Sequence, residues 1–599
     1  MAEIQNPNQQ GGGGGGDSRT LFGFLIVFVL MVAAFQIWGP KKPQPQPERK
    51  TPAPQSAGPA TPAATNASSF QTQEEPHKAG AHRAGASNAG PAPETKAVEA
   101  QSAATVTVEN ELYRIEFTNH GALVKSWILK KYKNDNGKPL DLVNSDAAGK
   151  FGLPLSLYAY DAGLRDRLNS ALYVASATGN LTAPASLTFD YSAGGLTVRK
   201  TFHFDSSYVI HADVTVTQDG APVTALLQWP GGLGDENTIQ QYATSNFENS
   251  QNGKTAQVAA KKVVGGQTLQ GSFDYAGVSD MYFAAIFMPD SPPDTNVVTL
   301  HDTVAVPRDR DHPQPNAVEQ EPVLGVAVGQ NGGGAHTRLF AGPKSLELLE
   351  SIHTAYGGSL EHVVSYGWWG WVAKPMLLVL RFFVMHGIGN WGWAILVLTF
   401  ILTIAMVPTR VMMMKSSLKM QRIQPQIDAI KAKYAKYKAT DPRRQDMNKE
   451  MFDLQRKEGI NMFGGCLPML LQYPLLIGFY EMLRYAIELR QAHWLWLPDL
   501  SAPDPLHILP VFVIVSMFLS QFFTPSPGMD QSQQRMMAFM MPAVFGVMMW
   551  NIGSGVALYW AGSNLMGVAQ QLVMNRTSMG KEMRAIAARR AAKKKQRKQ

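Results

Sequence analysis

The spacing of apolar side chains divides the chain into a middle part with strand-like alternation and a C-terminal part with long apolar runs. Two stretches, TVTVENELYRIEFTN (105–119) and YVIHADVTVTQ (208–218), alternate apolar and polar residues. In the second, the apolar side chains from Ile210 to Val216 share one face, and His211 lies on the opposite, solvent-facing side. Period-two alternation broken by Gly, Asp and Asn is typical of antiparallel strands. The pattern predicts an antiparallel β-sandwich over residues 104–350.

The apolar runs predict membrane-spanning helices. An uncharged run of eighteen residues (21–38) is just long enough to cross a bilayer. It exceeds the usual apolar segment of a signal peptide, and no small-residue cleavage site follows promptly, so a signal anchor is the preferred interpretation and a cleaved signal peptide the alternative. The five further predicted spans are 391–407, 466–484, 506–523, 536–551 and 556–573.

The segment 366–389 is apolar but carries three basic or titratable side chains, Lys374, Arg381 and His386. This mixture predicts an amphipathic helix that lies in the membrane interface. Residues 39–103 are rich in Pro, Ala, Gln, Ser and Thr, with few apolar side chains to bury, which predicts a disordered linker. Cys466 is the single cysteine, so an intramolecular disulfide and a cysteine-based metal cage are excluded. We expect no cofactor and no metal.

The distribution of charge predicts the orientation in the membrane. The loop 409–463 holds 13 basic and 6 acidic residues, a net charge of 13 − 6 = +7. The tail 574–599 holds ten basic residues and one acidic residue. Basic loops face the cytoplasm, so both termini, including the short N-tail 1–20, are expected there. The β region is then outside, in the periplasm of a bacterium with two membranes.

The cytoplasmic loop 409–463 is predicted to be a helical hairpin. Its two helical segments are separated near Thr440–Pro442, where Asp441 can cap the second helix and Pro442 can occupy its first turn. An approximate apolar stripe runs along the first segment at Leu418, Ile423, Ile427 and Ile430. The short connection predicts antiparallel neighbours.

Six motifs, taken together and in order, resemble the YidC-type membrane protein insertases. They are NWGWAILVLTF, MQRIQPQI, GGCLPMLLQYP, ELRQAHWLWLPDLSAPDP, ILP and SGVALYWAGSN, between Asn390 and Asn564. The resemblance implies a polytopic α-helical protein of the inner membrane with six transmembrane helices. Five of them enclose a hydrophilic groove open to the cytoplasm and to lipid. A periplasmic antiparallel β-supersandwich and a mobile cytoplasmic hairpin complete the expected architecture.

The resemblance also implies an insertase that uses no nucleotide hydrolysis and is not an enzyme. It acts alone or with the Sec translocon on nascent membrane proteins within the lipid bilayer. Further expected partners are the ribosome, through the basic tail and the cytoplasmic loops, and the signal recognition particle receptor.

The first C-terminal span (391–407) departs from the family pattern at one position. Aligned without a gap from Asn390, the arginine of the family groove falls on Thr403, so its positive charge is missing here. Thr399 falls on another groove position, one turn earlier on the same face. Arg410, seven residues beyond Thr403 on nearly the same face, can supply a charge at the groove mouth. The alternative is that each hydroxyl only bonds the carbonyl one turn back.

Polar side chains in the other spans are further candidates for the groove. For each of them, hydrogen bonding between helices is the alternative. Glu481 and Arg484, three residues apart, are predicted to form a local ion pair. The candidate groove residues outside the first C-terminal span are Gln472, Ser516, Ser520, Tyr559, Trp560 and Ser563.

Two other classes of function remain open on the sequence alone. A small-solute transporter would favour internal repeats of spans, and none is visible. A membrane-anchored periplasmic protein that binds or modifies carbohydrate would need a carboxylate and a histidine converging in a cleft. GIGNWG (387–392) fits a nucleotide-binding glycine pattern, but no strand precedes it.

Overall fold

The computed structural model describes residues 97–308, 317–437, 441–459, 467–523 and 531–596. The predicted N-tail (1–20), the signal anchor (21–38) and Cys466 lie outside the described residues. So do the linker as far as residue 96 and residues 438–440 and 460–463 of the hairpin. The prediction of a disordered linker up to residue 103 is wrong at its end, because Val98 pairs with Ser192 and Ala100 donates to the carbonyl of Leu172.

The middle of the chain is a β domain, as the alternation predicts. Four short helices, α1 (Ser145–Phe151), α2 (Ala162–Ser170), α3 (Ile239–Tyr242) and α4 (Leu346–Ser351), connect or follow its strands. The strands are β1 (Thr105–Glu109), β2 (Tyr113–Thr118), β3 (Leu123–Lys133), β4 (Pro139–Asp141), β5 (Ser156–Tyr158), β6 (Val174–Ala175), β7 (Gly179–Thr182), β8 (Ala185–Ala193), β9 (Leu196–Phe204), β10 (Val209–Gln218), β11 (Ala221–Pro222), β12 (Leu226–Trp229), β13 (Asn246–Gln251), β14 (Lys254–Ala259), β15 (Thr268–Gly271), β16 (Phe273–Ser279), β17 (Phe283–Pro289), β18 (Thr295–Pro307), β19 (Val318–Gln330) and β20 (Ala335–Pro343).

These strands form three sheets. The largest has the order β14-β13-β16-β17-β20-β10-β9-β8-β6, with β11 paired to β10. The other two have the orders β4-β3-β2-β1-β7 and β15-β18-β19-β12-β5. The pairing is antiparallel except between β1 and β7, which run parallel, so the predicted antiparallel sandwich contains one parallel pair.

The register of β10 shows why these residues form strands. Ile210, Ala212, Val214 and Val216 are buried, whereas His211 is exposed. The predicted faces of this strand are therefore confirmed. Buried aromatic rings continue the core: the rings of Trp127 and Trp229 are 5.8 Å apart, between β3 and β12. Burial of these alternate apolar faces is the main stabilising contribution to the domain.

The C-terminal part is helical. Two basic side chains of the helix Gly370–Phe383 pair with acids that precede it: Lys374 binds Glu361 at 2.7 Å, and Arg381 binds Glu347. A short π-helical segment, Val384–Ile388, follows that helix. The helices are α5 (Gly370–Phe383), α6 (Trp391–Ala405), α7 (Val407–Lys433), α8 (Arg443–Lys457), α9 (Leu467–Tyr485), α10 (Ile508–Phe523), α11 (Gln531–Met549), α12 (Ser554–Arg576) and α13 (Ser578–Gln596).

The lengths of these helices differ from the predicted spans. Of the described residues, only Gly367–Ile388 forms a single helix long and apolar enough to cross a membrane. This is the segment that the sequence predicts to be interfacial, and that placement stays a prediction. A second candidate arises if α6 and α7, which meet at 46°, are counted together. Ile508–Gln521 and Met536–Met549 are shorter apolar helices.

The predicted hairpin is present as α7 and α8. Asp441 accepts a hydrogen bond from the backbone N–H of Arg443 at 2.9 Å, which fixes the start of α8. Ile423 and Ile427 are buried against Met451 and Leu454 of α8. The apolar stripe therefore joins the two helices as predicted, although Ile430 is only half-buried.

The basic tail is not separate from the hairpin. Its helix α13 places Met583 against Met414 and Leu418 of α7. Arg422 of α7 and Glu582 of α13 form an ion pair at 2.6 Å. Leu418, assigned by sequence to the stripe between the hairpin helices, is instead covered by the tail, because α7 is longer than its partner α8.

Candidate functional site

The predicted groove residues of α6 are placed by a capped helix start and a bend. Asn390 caps α6, accepting hydrogen bonds from the N–H groups of Gly392 and Trp393 at 3.0 and 3.2 Å. The side chain of Asn390 also donates to the carbonyl of His493 at 2.9 Å, which ties the start of α6 to the loop that follows α9. The helix ends at Ala405, and α7 begins at Val407 with Pro408 in its first turn, where proline is tolerated.

Both threonines of α6 are buried and bonded to their own helix. The hydroxyl of Thr399 donates to the carbonyl of Ile395 at 2.7 Å, and that of Thr403 donates to the carbonyl of Thr399 at 2.7 Å. These are the hydrogen bonds of the alternative interpretation, in which each hydroxyl bonds one turn back. Such bonds do not decide which face the threonines line, so the groove-lining role stays a prediction.

The face of α12 opposite these threonines is built around small residues. A Cβ added to Gly562 would lie 2.9 Å from Leu396 and 3.7 Å from Thr399. Glycine therefore lets the backbones of α6 and α12 approach closely, as small residues do between membrane helices. Gly562 was not among the sequence candidates, although its seven-residue spacing from Gly555 places both on one face and could have indicated this contact.

Arg410 of α7 lies just beyond the C-terminal end of α6 and beside α12. Its guanidinium nitrogens would be 3.6 and 3.7 Å from a Cβ on Gly567 of α12, so the charged group lies over that glycine. Three residues further along α12, Gln570 donates to the backbone carbonyl of Thr403 at 3.0 Å. The carbonyl oxygen of the Gln570 side chain is buried and has no partner among the described residues. Thr403, Arg410 and Gln570 therefore meet at one place.

The Arg410 side chain is half-buried. Within the described ranges it takes part in no ion pair, and its guanidinium donates no hydrogen bond. A charge held in such a position, with unused N–H donors, can bind an anionic group.

Three of the other candidates lie in contacts between α12 and a neighbouring helix. Ser516 of α10 is buried and accepts a hydrogen bond from Asn564 of α12 at 3.3 Å, which matches the interhelical alternative for Ser516. The ring of Tyr559 is 4.2 Å from that of Phe479 in α9. The ring of Trp560 is 5.1 Å from that of Phe545 in α11.

The remaining candidates are accessible. Gln472 is exposed on α9, and Ser520 and Ser563 are half-buried on α10 and α12. Tyr559 and Ser563 lie on the same side of α12 as Gly567 and Gln570, because these residues follow one another at intervals of three or four. The structure places Ser516 in a direct contact between α10 and α12.

One predicted contact is wrong. Glu481 and Arg484 of α9 do not form an ion pair, because no charged atoms of the two side chains come within 4.0 Å of each other. The guanidinium of Arg484 instead lies 5.3 Å from the centre of the Tyr485 ring. In the described ranges, no group of histidine, cysteine or carboxylate side chains has a geometry suited to a metal ion.

Comparison with known proteins adds two family models and close relatives. A model described as 60Kd inner membrane protein matches residues 383–582, and one described as YidC periplasmic domain matches residues 105–379. A membrane protein insertase YidC from Citrifermentans bemidjiense is 32% identical over 490 residues, covering 79% of this chain and 86% of that protein. One from Geobacter metallireducens is 30% identical over 573 residues, covering 92% and 98%.

Among solved structures, the crystal structure of an active YidC insertase with its first transmembrane domain resolved is similar to 80% of this chain and 94% of its own. The two share 17% identity at a TM-score of 0.33, which is too low to carry an argument.

Proposed function

This chain belongs to the YidC family of membrane protein insertases, and we propose that it inserts nascent membrane proteins through a hydrated groove lined by α6 and α12. In this proposal no nucleotide is hydrolysed and no covalent chemistry occurs. The protein lowers the barrier that a polar segment of the client meets in the bilayer, where one charged side chain costs roughly 2.5–3.5 kcal/mol.

One observation carries the proposal: the half-buried guanidinium of Arg410 lies over Gly567 with no partner among the described residues. Where the family pattern has an arginine, this chain has Thr403, which is linked to Gln570 through its carbonyl. We propose that Arg410 supplies the charge from its position seven residues later. It would attract the acidic segment of a client toward the inner end of the groove, and the hydroxyl and amide side chains would hydrate that segment.

We also propose the number of membrane spans and the side of the membrane on which each part lies. Six spans, with 21–38 as the first, leave both termini in the cytoplasm and the β domain in the periplasm. The match of residues 105–379 to a periplasmic-domain model supports the outer location of the β domain. The basic loop 409–463 and the basic tail support the inner location of the hairpin and of α13.

Partners follow from the same assignment. We propose that the chain works alone or with the Sec translocon, and receives clients from the ribosome with the signal recognition particle receptor. The tail is the proposed ribosome contact, because ten basic residues against one acidic residue attract a polyanion. Co-sedimentation with ribosomes across a salt series tests it. A chain ending at Asn575 that binds ribosomes as well as the full chain would contradict this role.

The central test is insertion by the purified full chain in liposomes without ATP. Two single-span clients are compared that differ only in the charge of their translocated tail, acidic in one and neutral in the other. Arg410→Ala is expected to reduce insertion of the acidic client several-fold and to leave the neutral client nearly unchanged. Lys415→Ala is the matched control, because Lys415 is an exposed lysine on the same helix.

If Arg410→Ala reduces insertion of both clients equally, Arg410 has a structural role. If insertion of neither client falls, Arg410 has no part in the mechanism. Thr403→Arg in the Arg410→Ala background sharpens the test. We expect this second substitution to restore insertion of the acidic client, since it returns a charge to the position where the family carries one.

The comparisons do not support the two alternative functions, a small-solute transporter and a periplasmic protein that binds or modifies carbohydrate. A carboxylate and two histidines do converge on the β domain: Asp213 lies 2.7 Å from His336 and 3.9 Å from His203. These side chains are about half exposed on the outer face of the large sheet, so they are not enclosed as a carbohydrate cleft would require.

A further inference from the structure

The tail helix α13 docks on the hairpin helix α7 through a stripe of apolar side chains. Met579, Met583 and Ile586 follow one another at intervals of four and three residues, so they lie on one face of α13. Met583 is 4% exposed and packs with Met414 and Leu418 of α7, and the other two side chains lie against the same cluster. The tail is therefore an amphipathic helix whose apolar face is covered by the hairpin.

The turn that joins α12 to α13 directs the tail to this position. The hydroxyl of Thr577 donates to the carbonyl of Met574 at 2.6 Å and accepts the backbone N–H of Gly580 at 3.3 Å. A Cβ on Gly580 would lie 2.6 Å from the Cα of Asn575, so glycine is what lets α13 approach the end of α12 this closely. The docking of the tail thus follows from local features of the chain as well as from the apolar stripe.

The polar contact between the tail and the hairpin is weak. Arg422 of α7 pairs with Glu582 of α13 at 2.6 Å, but the two side chains are 57% and 41% exposed. An ion pair so accessible to water contributes little to stability. The basic side chains Lys581, Arg584 and Arg589 of the tail are exposed. An apolar helix from another chain can therefore take the place of α13 without breaking a strong polar contact.

The surface that α13 covers is in line with the charge of the proposed groove. Arg410, Met414 and Leu418 follow one another at intervals of four residues on α7, so they form one stripe. At 1.5 Å per residue, Arg410 and Leu418 are about 12 Å apart along the helix. A cation followed by apolar side chains is complementary to an acidic tail followed by an apolar segment. Methionine adapts its shape to apolar partners of different sequence.

We propose that Met414 and Leu418, here called the docking stripe, bind the apolar segment of a client while the acidic tail of that client contacts Arg410. In the absence of a client, α13 occupies the docking stripe and is an autoinhibitory helix. A client displaces α13 when it enters. The proposal rests on the insertase function proposed above and adds to it the site where the apolar segment is held before insertion.

The two contacts make this site selective. The turn at Thr577 tethers α13 to the docking stripe, so α13 competes at an effective concentration in the millimolar range. A client with only an apolar segment has one contact with which to overcome the tethered helix. A client with an acidic tail gains a second contact at Arg410, which makes its own apolar segment a local competitor. Clients with both features, in that order, are expected to displace α13 most readily.

The experiment places a photoreactive phenylalanine derivative in the position of Leu418 in the full chain, reconstituted in liposomes. The probe is the purified single-span client with an acidic tail that serves in the insertion assay. Mass spectrometry of the irradiated samples identifies the attached peptide. Without the client we expect attachment to α13, and with it attachment to the apolar segment of the client. The matched control carries the photoreactive group in the position of Lys415, which is exposed on the same helix and should give several-fold less of either product.

Met583→Ser is the variant that weakens the competing helix. It removes an apolar side chain from the buried face of α13, so attachment of the client at position 418 should rise about tenfold at limiting client concentration. Ala585→Ser, at an exposed position of the same helix, should leave this yield unchanged, and so should Met583→Leu, which keeps an apolar side chain. A chain that ends at Thr577 lacks the helix and should give at least the yield of Met583→Ser.

Insertion of the client is measured in the same samples, so the two proposals fail separately. If the client is inserted but never attached at position 418, the docking stripe is wrong and the insertase function stands. If the client is attached but not inserted, the insertase function is contradicted and the docking stripe stands. An unchanged yield of the client product in both Met583→Ser and the chain that ends at Thr577 would overturn α13 as the competing helix.

Discussion

The β domain and the helical part bury polar side chains in different ways. In the domain, Lys200 is fully buried, and its ammonium donates to the carbonyls of Gly121, Ala122 and Leu155 at 2.7, 3.2 and 3.0 Å. These acceptors come from segments far away in sequence. In α6, Thr399 and Thr403 donate only to carbonyls of their own helix.

The difference indicates what each buried polar group does. A buried lysine that joins distant segments holds the tertiary fold together, and its loss leaves carbonyls without a donor. A threonine that bonds its own helix contributes little to the fold, because the carbonyl it contacts already accepts a backbone N–H.

The largest expected effect is a dependence of unfolding stability on pH, and it is confined to the β domain. Burial raises the pKa of Glu236 from 4.5 to about 8. The unfolded chain loses this proton at lower pH than the folded chain does. The stability contributed by the protonated Glu236 is therefore complete below about pH 4.5 and is lost as the pH rises toward 8. Between pH 5 and 7 the loss is up to about 3 kcal/mol.

The measurement is the thermal unfolding of the β domain in the full chain at pH 5 and pH 7. Glu236→Gln should reduce the difference in unfolding temperature between pH 5 and pH 7. Glu111→Gln, at an exposed position, should not reduce it. Burial shifts the pKa of Asp235, Asp280 and Glu248 in the same direction, so part of the slope should remain. A domain equally stable at both values would contradict the account of its buried acids.

The next effect is that of Lys200→Met. Methionine fills similar space but leaves three carbonyls without their donor, so we expect the domain to lose about 2 kcal/mol of stability. The loss is limited because burial also opposes the charge, lowering the pKa of Lys200 to about 7. Calorimetric unfolding of the full chain measures it, with the exposed Lys131→Met as control. Unchanged stability would show that the lysine does not hold the three segments together.

The smallest effect should be that of Thr399→Val. The lost hydrogen bond lies within one helix, so the helical part should lose less than about 1 kcal/mol. Ser516→Ala removes the acceptor of a hydrogen bond between α10 and α12 and should cost more than Thr399→Val. Unfolding of both variants in detergent compares them. The reverse order would contradict the distinction between local and interhelical bonds.

The same distinction explains what the sequence could predict. The buried face of β10 and the contact of Ile423 and Ile427 with α8 depend on periodicity, which the sequence displays directly. The cap at Asp441 depends on a neighbour two residues away. These features are local, and the predictions for them are confirmed.

Features that depend on distant partners were missed or misassigned. The expected Glu481–Arg484 pair ignores that Arg484 faces a cavity formed with a domain some 200 residues earlier in the chain. The docking of α13 on α7, and the contact of Arg490 with Asp235, likewise join segments that no spacing rule connects. Gly562 and Gly567 have significance only once α6 and Arg410 are seen to lie over them.

The most direct test of the central claim is the access of water to the α6 groove. Single cysteines are placed at Thr403 and at Ile401, which is 43% exposed on the outward face of α6, in a Cys466→Ser background. A water-soluble thiol reagent is added to the chain in liposomes. The account predicts that the Thr403→Cys variant reacts and the Ile401→Cys variant does not. If both are equally unreactive, Thr403 is packed between helices, no hydrated groove lies there, and its hydroxyl only adjusts the helix.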